Sequence, residues 1–275
     1  MPSFEYIFTP LRSEEEKSFL IAELLEVGFE SFLDDENSLL GYISSEFYPK
    51  DLINNITFFK NHPEVKFEVR PLEDKNWNQE WESNYHPVTI AGKCHVRAPF
   101  HPPLENIAYE IIIEPKMAFG TAHHETTQLM TTWLLELDVD GKEILDMGCG
   151  TGILAILANK MGARYVIGLD NDVWAWRNGL DNFRINEVAE GDIYLGNSTL
   201  IGKNHFDVIL ANINRNVLLQ DMKTYYEGLR ENGMLLISGF YQKDVETITA
   251  SASGSGFKLI ATRNLNDWAV MLFHK

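Results

Sequence analysis

Glu143-Ile144-Leu145-Asp146-Met147 is an apolar run with an acid inside it, and Gly148-Cys149-Gly150-Thr151-Gly152 follows with glycine at every second position. A helical stretch comes next, then Val166-Ile167-Gly168-Leu169 and a second acid, Asp170. The pattern predicts a buried strand, a glycine-rich turn, a helix, a second strand and a carboxylate at that strand's carboxyl end. Gly148, Gly150 and Gly152 let backbone and ligand approach closely, and Asp170 can accept both hydroxyls of a ribose. This is the chemistry of a nucleotide-type cofactor cradle. A dinucleotide turn needs a third glycine three residues after the second, where this chain has Ile153.

The alternating glycines together with Asp170 instead resemble the S-adenosylmethionine site of class I methyltransferases. Two further places carry candidate chemistry. Phe206-Asp207-Val208-Ile209-Leu210-Ala211-Asn212 reads as a fully buried strand with an amide at its carboxyl end, the end that faces the ligand crevice in an open α/β sheet. There Asn212 could accept from a substrate amine and donate to a cofactor. The second place is Pro115 through Phe119-Gly120-Thr121-Ala122-His123-His124-Glu125-Thr126-Thr127, which opens a helix with Leu129, Trp133, Leu134 and Leu137 as its apolar stripe. A helix start gathers unpaired N–H groups and a positive dipole end, suited to a methionine carboxylate near Thr127, and one threonine could equally cap the helix. His123 and His124 are adjacent and lack metal-ligand spacing, so they are expected to hold loop backbone or line a pocket, and no metal is expected. Asn197, after Leu195-Gly196, is a weaker candidate for an adenine contact and also suits an ordinary turn.

These groups need a scaffold. From Ala108 onward, strands alternate with helices over 171–186, 215–229 and 242–253, and the strands at 257–261 and 268–273 pair at the end. The expected fold class is therefore α/β, a doubly wound, mostly parallel sheet, and the resemblance of the cradle implies the class I methyltransferase form of it. Ahead of it, Phe4–Phe8, a helix with the capping box Ser13-x-x-Glu16, strands at Phe29–Leu33 and Leu39–Ile43, a helix after Pro49 and a strand at Val65–Val69 give β-α-β-β-α-β. That is a smaller ferredoxin-like α+β domain. The expected division is 1–70 for this domain, 71–90 for a connector with Trp77 and Trp81 on one helical face, and 91–275 for the catalytic domain. The first domain shows no catalytic constellation, so its expected role is substrate recognition.

Bulk properties exclude several classes. The chain has 275 residues, 45% of them hydrophobic, and no apolar run long enough to span a membrane. Two cysteines without ligand spacing and an N-terminus unlike a secretory signal predict a cytoplasmic protein. With 40 acidic against 23 basic residues, the net charge of −17 argues against direct nucleic-acid binding and for a basic protein or amine as partner.

Taken together, Trp77 and Trp81, the loop from Glu114-Pro115 through Ala118-Phe119-Gly120-Thr121 to Thr126-Thr127, the cradle Asp146–Gly152, Asp170 and Ala211-Asn212-Ile213 resemble the bacterial ribosomal protein L11 methyltransferases. The resemblance covers nearly the whole chain, and the loop is its most specific part. It implies S-adenosylmethionine as cofactor, ribosomal protein L11 as partner, and methyl transfer to lysine side-chain and N-terminal amines. Carried over by position, it implies Thr127, Gly148, Asp170 and Asn212 at the cofactor, with Phe119, Gly120, Thr121, Gly150 and Gly152 around them and Asn212 orienting the amine. The alternative is methylation of another protein or a small amine on the same fold. Release-factor glutamine methyltransferases carry Asn-Pro-Pro-Tyr at the strand end, whereas this chain reads Asn212-Ile213-Asn214-Arg215. Two departures from the L11 family stand out: Ala122 replaces a glycine, and Asn214-Arg215-Asn216 replaces a run of apolar or small residues.

Overall fold

Alternating apolar residues at the start of the chain build a four-stranded antiparallel sheet. In the computed structural model, which describes residues 3–44, 56–72, 85–116 and 119–275, the chain forms two compact units, Met1–Tyr85 and His86–Lys275. The first contains β1 (Ser3–Thr9), α1 (Glu14–Glu26), β2 (Phe29–Asp35), β3 (Ser38–Ser44), α2 (Thr57–Asn61) and β4 (Lys66–Leu72). Their order across the sheet is β2-β3-β1-β4, with every pair antiparallel, which is the ferredoxin-like arrangement. Period-two alternation sends Leu39 and Ile43 of β3, and Tyr6 and Phe8 of β1, into a core shared with Leu20 and Leu24 of α1 and Phe58 of α2. Ser13 caps α1 by accepting from the Glu16 N–H at 3.2 Å. The reciprocal half of the capping box differs: the Glu16 carboxylate takes the Arg12 N–H at 2.6 Å, one residue before the cap. Pro49, Leu52, Ile53, Trp77, Trp81 and Met117-Ala118 lie outside the described residues.

The second unit begins at His86, so Val88–Ile90, assigned above to the connector, is its first strand. It belongs there because β5 (Val88–Ile90) pairs antiparallel with β6 (Cys94–Arg97), which pairs parallel with β7 (Tyr109–Ile112). Then come α3 (Glu125–Leu134), β8 (Glu143–Met147), α4 (Ile153–Lys160), β9 (Tyr165–Asp170), α5 (Val173–Ile185), β10 (Gly191–Leu195), β11 (Phe206–Asn212), α6 (Arg215–Gly228), β12 (Leu229–Tyr241), α7 (Val245–Ser255), β13 (Lys258–Leu265) and β14 (Trp268–His274). The main sheet runs β10-β9-β8-β11-β12-β14-β13. Its first five strands are parallel, and β14 enters antiparallel between β12 and β13. The central strands have no polar face because helices cover both sides, and Val208, Ile209, Leu210 and Ala211 of β11 are fully buried. Each such aliphatic side chain larger than alanine stabilises the fold by roughly 1.5–3 kcal/mol.

This strand order decides where a ligand can lie. From β8 the chain winds outward through β9 to β10, then returns to the other side of β8 as β11 and winds outward through β12. The loops after β8 and β11 therefore leave the sheet in opposite directions. The crevice between them is the topological switch point, the place where open α/β sheets bind ligands.

Candidate active site

The switch point lies between Gly148–Gly152, which follows β8, and Asn212-Ile213 at the end of β11. Gly148 has φ +67°, and a side chain there would overlap Cγ2 of Ile213. Gly150 has φ +56°, and a side chain there would overlap the Phe119 carbonyl oxygen. Both positions need glycine for two reasons, the left-handed backbone and the loops packed over it. Asp170, at the end of β9, is nearly buried. One of its carboxylate oxygens accepts the Gly150 N–H at 2.8 Å, and the other accepts the Asp172 N–H at 3.0 Å. Each oxygen keeps a free lone pair, so the carboxylate fixes the turn and can still accept a diol.

The loop ahead of α3 lies on this cradle. Thr151 donates its N–H to the Phe119 carbonyl at 3.0 Å and its hydroxyl to the Gly120 carbonyl at 2.6 Å. The upstream end of the loop is held by α5. Asn178, Asn182 and the C-cap Asn186 stand four residues apart on one face and are all buried. Asn186 accepts from the Ile112 N–H at 2.9 Å and donates to the Ile112 carbonyl at 2.6 Å. Asn182 accepts from the Glu114 N–H at 2.9 Å, and Asn178 donates to the Glu114 carbonyl at 3.1 Å. Asn182 also donates to the Thr151 carbonyl at 2.9 Å. A ladder of amides thus takes the place of a neighbouring strand and ties Glu114 to the glycine turn. The signal in the sequence is asparagine recurring every fourth residue, and naming 171–186 only as a helix passes it over.

Downstream the loop enters α3, whose N-cap is His124 rather than either threonine. Its Nδ1 accepts the Thr126 N–H at 3.2 Å and lies 2.8 Å from the Thr126 hydroxyl. An Nδ1 that accepts an amide hydrogen leaves the neutral ring's proton on Nε2. His123 is occupied differently: Nε2 meets the His86 carbonyl at 2.9 Å and Nδ1 meets Thr121 Oγ1 at 3.2 Å, holding loop backbone. Thr126 and Thr127 are buried in the first turn. Asn212 Nδ2 reaches Thr127 Oγ1 at 3.5 Å, while Asn212 Oδ1 is buried with no hydrogen-bond partner among the described residues. A buried amide oxygen without a donor is costly, by ~1–3 kcal/mol, and marks a place where a ligand N–H belongs. Beside it is a cavity of about 250 Å³ lined by Phe119, His124, Thr126, Asn212, Ile213 and Trp268 among others. Asn197 spends its side-chain oxygen capping a short turn, accepting from the Thr199 N–H at 3.0 Å. Among the described residues no cluster of three or more His, Cys, Asp or Glu side chains is placed to hold a metal.

A sequence model described as ribosomal protein L11 methyltransferase (PrmA) matches residues 12–275. The chain belongs to this family. A ribosomal protein L11 methyltransferase of Porphyromonas gingivalis is 44% identical over 282 residues, spanning 98% of this chain and 96% of that protein. One from Bacteroides thetaiotaomicron is 41% identical over 99% of both chains. The crystal structure of a ribosomal protein L11 methylase from Lactobacillus delbrueckii subsp. bulgaricus shares the fold, with TM-score 0.64 and 24% identity, covering 69% of this chain and 98% of that one.

In this L11 methyltransferase family member the cradle also has a buried acid beneath it. Gly152, the N-cap of α4, has no side chain to satisfy the helix start, and Asp146 of β8 does so from the sheet by accepting the Ala155 N–H at 3.2 Å. Complete burial, reinforced by the charge of Asp170 and partly offset by that hydrogen bond, pushes the Asp146 carboxyl up to about 7. Burial beside the same two acids pushes the Cys149 thiol well above its usual range, so it stays protonated and inert. The apolar run around Asp146 was visible in the sequence; its role as a helix cap was not, because the partner lies nine residues away across the glycine turn.

Proposed function

We propose that this methyltransferase transfers methyl groups from S-adenosylmethionine to lysine side-chain and N-terminal amines of ribosomal protein L11. The observation that carries this reading is the buried Oδ1 of Asn212, without a partner among the described residues, beside an aromatic-walled cavity at the switch point, in a chain of the L11 methyltransferase family. The residues present fit the cofactor. Asp170 offers lone pairs for the ribose hydroxyls, the turn through Gly148 and Gly150 holds that carboxylate at the strand end, and Thr127 with the first turn of α3 faces the Asn212 side. Phe119, Gly120, Thr121 and Gly152 complete the surround. When bound, the sulfonium supplies an already activated methyl group, so the chain needs no acid for the leaving group.

What remains for the protein is to present an amine. A lysine ammonium, with a pKa of about 10.4 in water, must lose a proton before it can attack. Phe119, Ile213 and Trp268 give the cavity apolar walls, and desolvation there favours the neutral amine. The Asn212 oxygen accepts one amine N–H and fixes the direction of the nitrogen lone pair. His124 is not the base, because its Nδ1 already serves the α3 amide and its Nε2 carries the proton. Positioning then supplies most of the acceleration.

Charge supports a basic protein partner. Residues 1–85 hold 18 acidic and 7 basic side chains, a net −11 of the chain's −17. The ferredoxin-like unit, residues 1–70 in the sequence reading, is in this proposal the recognition domain for L11, and the strongly acidic chain has no direct role on nucleic acid. No helix among the described residues is long and apolar enough to cross a membrane, and a ribosomal substrate agrees with a cytoplasmic location. The test is incubation with methyl-labelled S-adenosylmethionine and ribosomal proteins from a methylation-deficient strain. Label is expected on L11 amines; label only in RNA, or none, would overturn the reading.

A further inference from the structure

Next to the amine cavity, the end of β12 and the turn before β14 wall a second and larger cavity. Tyr241 of β12 and Trp268 of β14 are register partners, and their rings meet with centroids 4.3 Å apart and planes tilted by 32°. Trp268 lines the 250 Å³ amine cavity. Tyr241, with Gln242, Lys243 and Asp267, lines a cavity of about 550 Å³. The larger space is open at the surface and carries two charges of opposite sign. Lys243 Nζ lies 5.2 Å over the Tyr241 ring, which keeps the ammonium on the cavity wall. Asp267 stands on the opposing turn, and the Gln242 N–H to Asp267 carbonyl bond of 2.8 Å closes the rim. Among the described residues neither charged side chain is in an ion pair.

The segment is also braced. Asn214 Oδ1 caps α6 by accepting the Val217 N–H at 3.2 Å, and Arg215 pairs with Asp244 at 3.3 Å. The stretch that departs from the family pattern therefore links the residues just after Asn212 to the turn that carries Lys243.

We propose that Lys243 and Asp267 clamp the main chain of the polypeptide segment that bears the methylated amine. Lys243 donates to a peptide carbonyl and Asp267 accepts a peptide N–H, while the amine passes the Tyr241–Trp268 ring pair to reach Asn212. This rests on the proposed function and adds to it a main-chain subsite that selects a polypeptide over a lone amine. A cavity more than twice the size of the amine pocket suits a chain segment. Unpaired opposite charges suit the donor and acceptor that every peptide group offers, whatever its side chain.

The experiment is steady-state methylation of purified L11 by the full-length enzyme and by its Lys243→Met, Asp267→Asn and Lys243→Arg variants, with S-adenosylmethionine affinity measured by calorimetry on each. The clamp predicts a KM for L11 raised at least fivefold in Lys243→Met and in Asp267→Asn, with kcat within twofold and cofactor affinity kept. Lys243→Arg, which keeps a cationic donor, stays within twofold of the parent. A KM within twofold of the parent in both neutralised variants overturns the clamp, as does a fall in kcat at constant KM. Loss of cofactor binding in these variants also overturns it, since the residues would then serve the fold of the cradle. A parent enzyme that does not methylate L11 at all refutes the proposed function instead, and the two failures are thereby distinguished.

Discussion

Asp146→Asn isolates the buried acid beneath the cradle. The side chain keeps its shape, and its amide oxygen can still accept the Ala155 N–H now held at 3.2 Å, but it no longer titrates. In the folded chain the Asp146 carboxyl is raised from 3.8 to about 7 by burial. A raised carboxyl means that the native state binds the proton more tightly than the unfolded chain. Its contribution to stability is therefore complete below pH ~4, declines as pH rises towards ~7, and is flat above that. At ~1.4 kcal/mol per pH unit the whole decline is ~4 kcal/mol, and the part between pH 5 and pH 8 is ~3 kcal/mol. No screening discount applies, because the group is fully buried. Many other carboxylates titrate over the acid end of this range, so the informative quantity is the stability of Asp146→Asn minus that of the parent at each pH. Urea unfolding followed by circular dichroism at pH 5, 6, 7 and 8, with equal denaturant slopes for the two proteins, gives that difference. It is expected to grow by ~3 kcal/mol in favour of asparagine from pH 5 to pH 8 and then level off. A constant difference, or one that grows towards acid, would refute the assignment of a neutral acid under the glycine turn.

Asn182→Ala removes the partner of both the Glu114 N–H and the Thr151 carbonyl. It is expected to cost ~2–4 kcal/mol in thermal or chemical unfolding, and a loss under ~0.5 kcal/mol would show that water replaces the amide ladder. Asn212→Ala should lower kcat for L11 by ~10–100-fold, the value of one buried hydrogen bond to the amine; full rates with unchanged cofactor affinity would remove its orienting role. Ala122→Gly addresses a buried residue at φ +71°. Relief of the left-handed strain, ~1–2 kcal/mol, is opposed by the lost methyl burial and by the extra freedom of glycine when unfolded, together of similar size. A melting temperature within ~3 °C of the parent is expected, and a shift of ~8 °C in either direction would mean that one of these effects is absent.

From β7 onward, element types and order could be read from the chain because period and chemistry agreed, whereas the short strands β5 and β6 were passed over. Val208–Ala211 reads as a strand buried on both faces, and as the end of β11 Asn212 falls at the switch point. The positions missed share a physical cause. His124 caps α3 with a ring nitrogen, a job usually given to Ser, Thr, Asp or Asn, so local propensity pointed to the threonines. The asparagines of α5 serve a strand sixty-four to seventy-four residues away, and nothing local to that helix marks a polar face as buried. The histidines, by contrast, were expected to hold loop backbone or line a pocket, and the structure has His123 on the His86 carbonyl and His124 on the Thr126 N–H.

The alternating glycines themselves acquire a different meaning. Read from the sequence, they leave room for a bulky cofactor. In the structure the space denied to a side chain at Gly148 is filled by Ile213, and that at Gly150 by the carbonyl of Phe119. The spacing thus records how two protein loops, one from each side of the switch point, close down on the end of β8. Asn212 sits beside one of those contacts and Thr151 beside the other, so the glycines set the separation between the groups that would hold cofactor and amine. A methyl group on Gly148 would act on Asn212 through Ile213 before it met any ligand. In the proposed reading Asp170 serves the cofactor and the Asn212 oxygen, unpartnered among the described residues, serves the amine, and the glycines let these two be brought to one crevice.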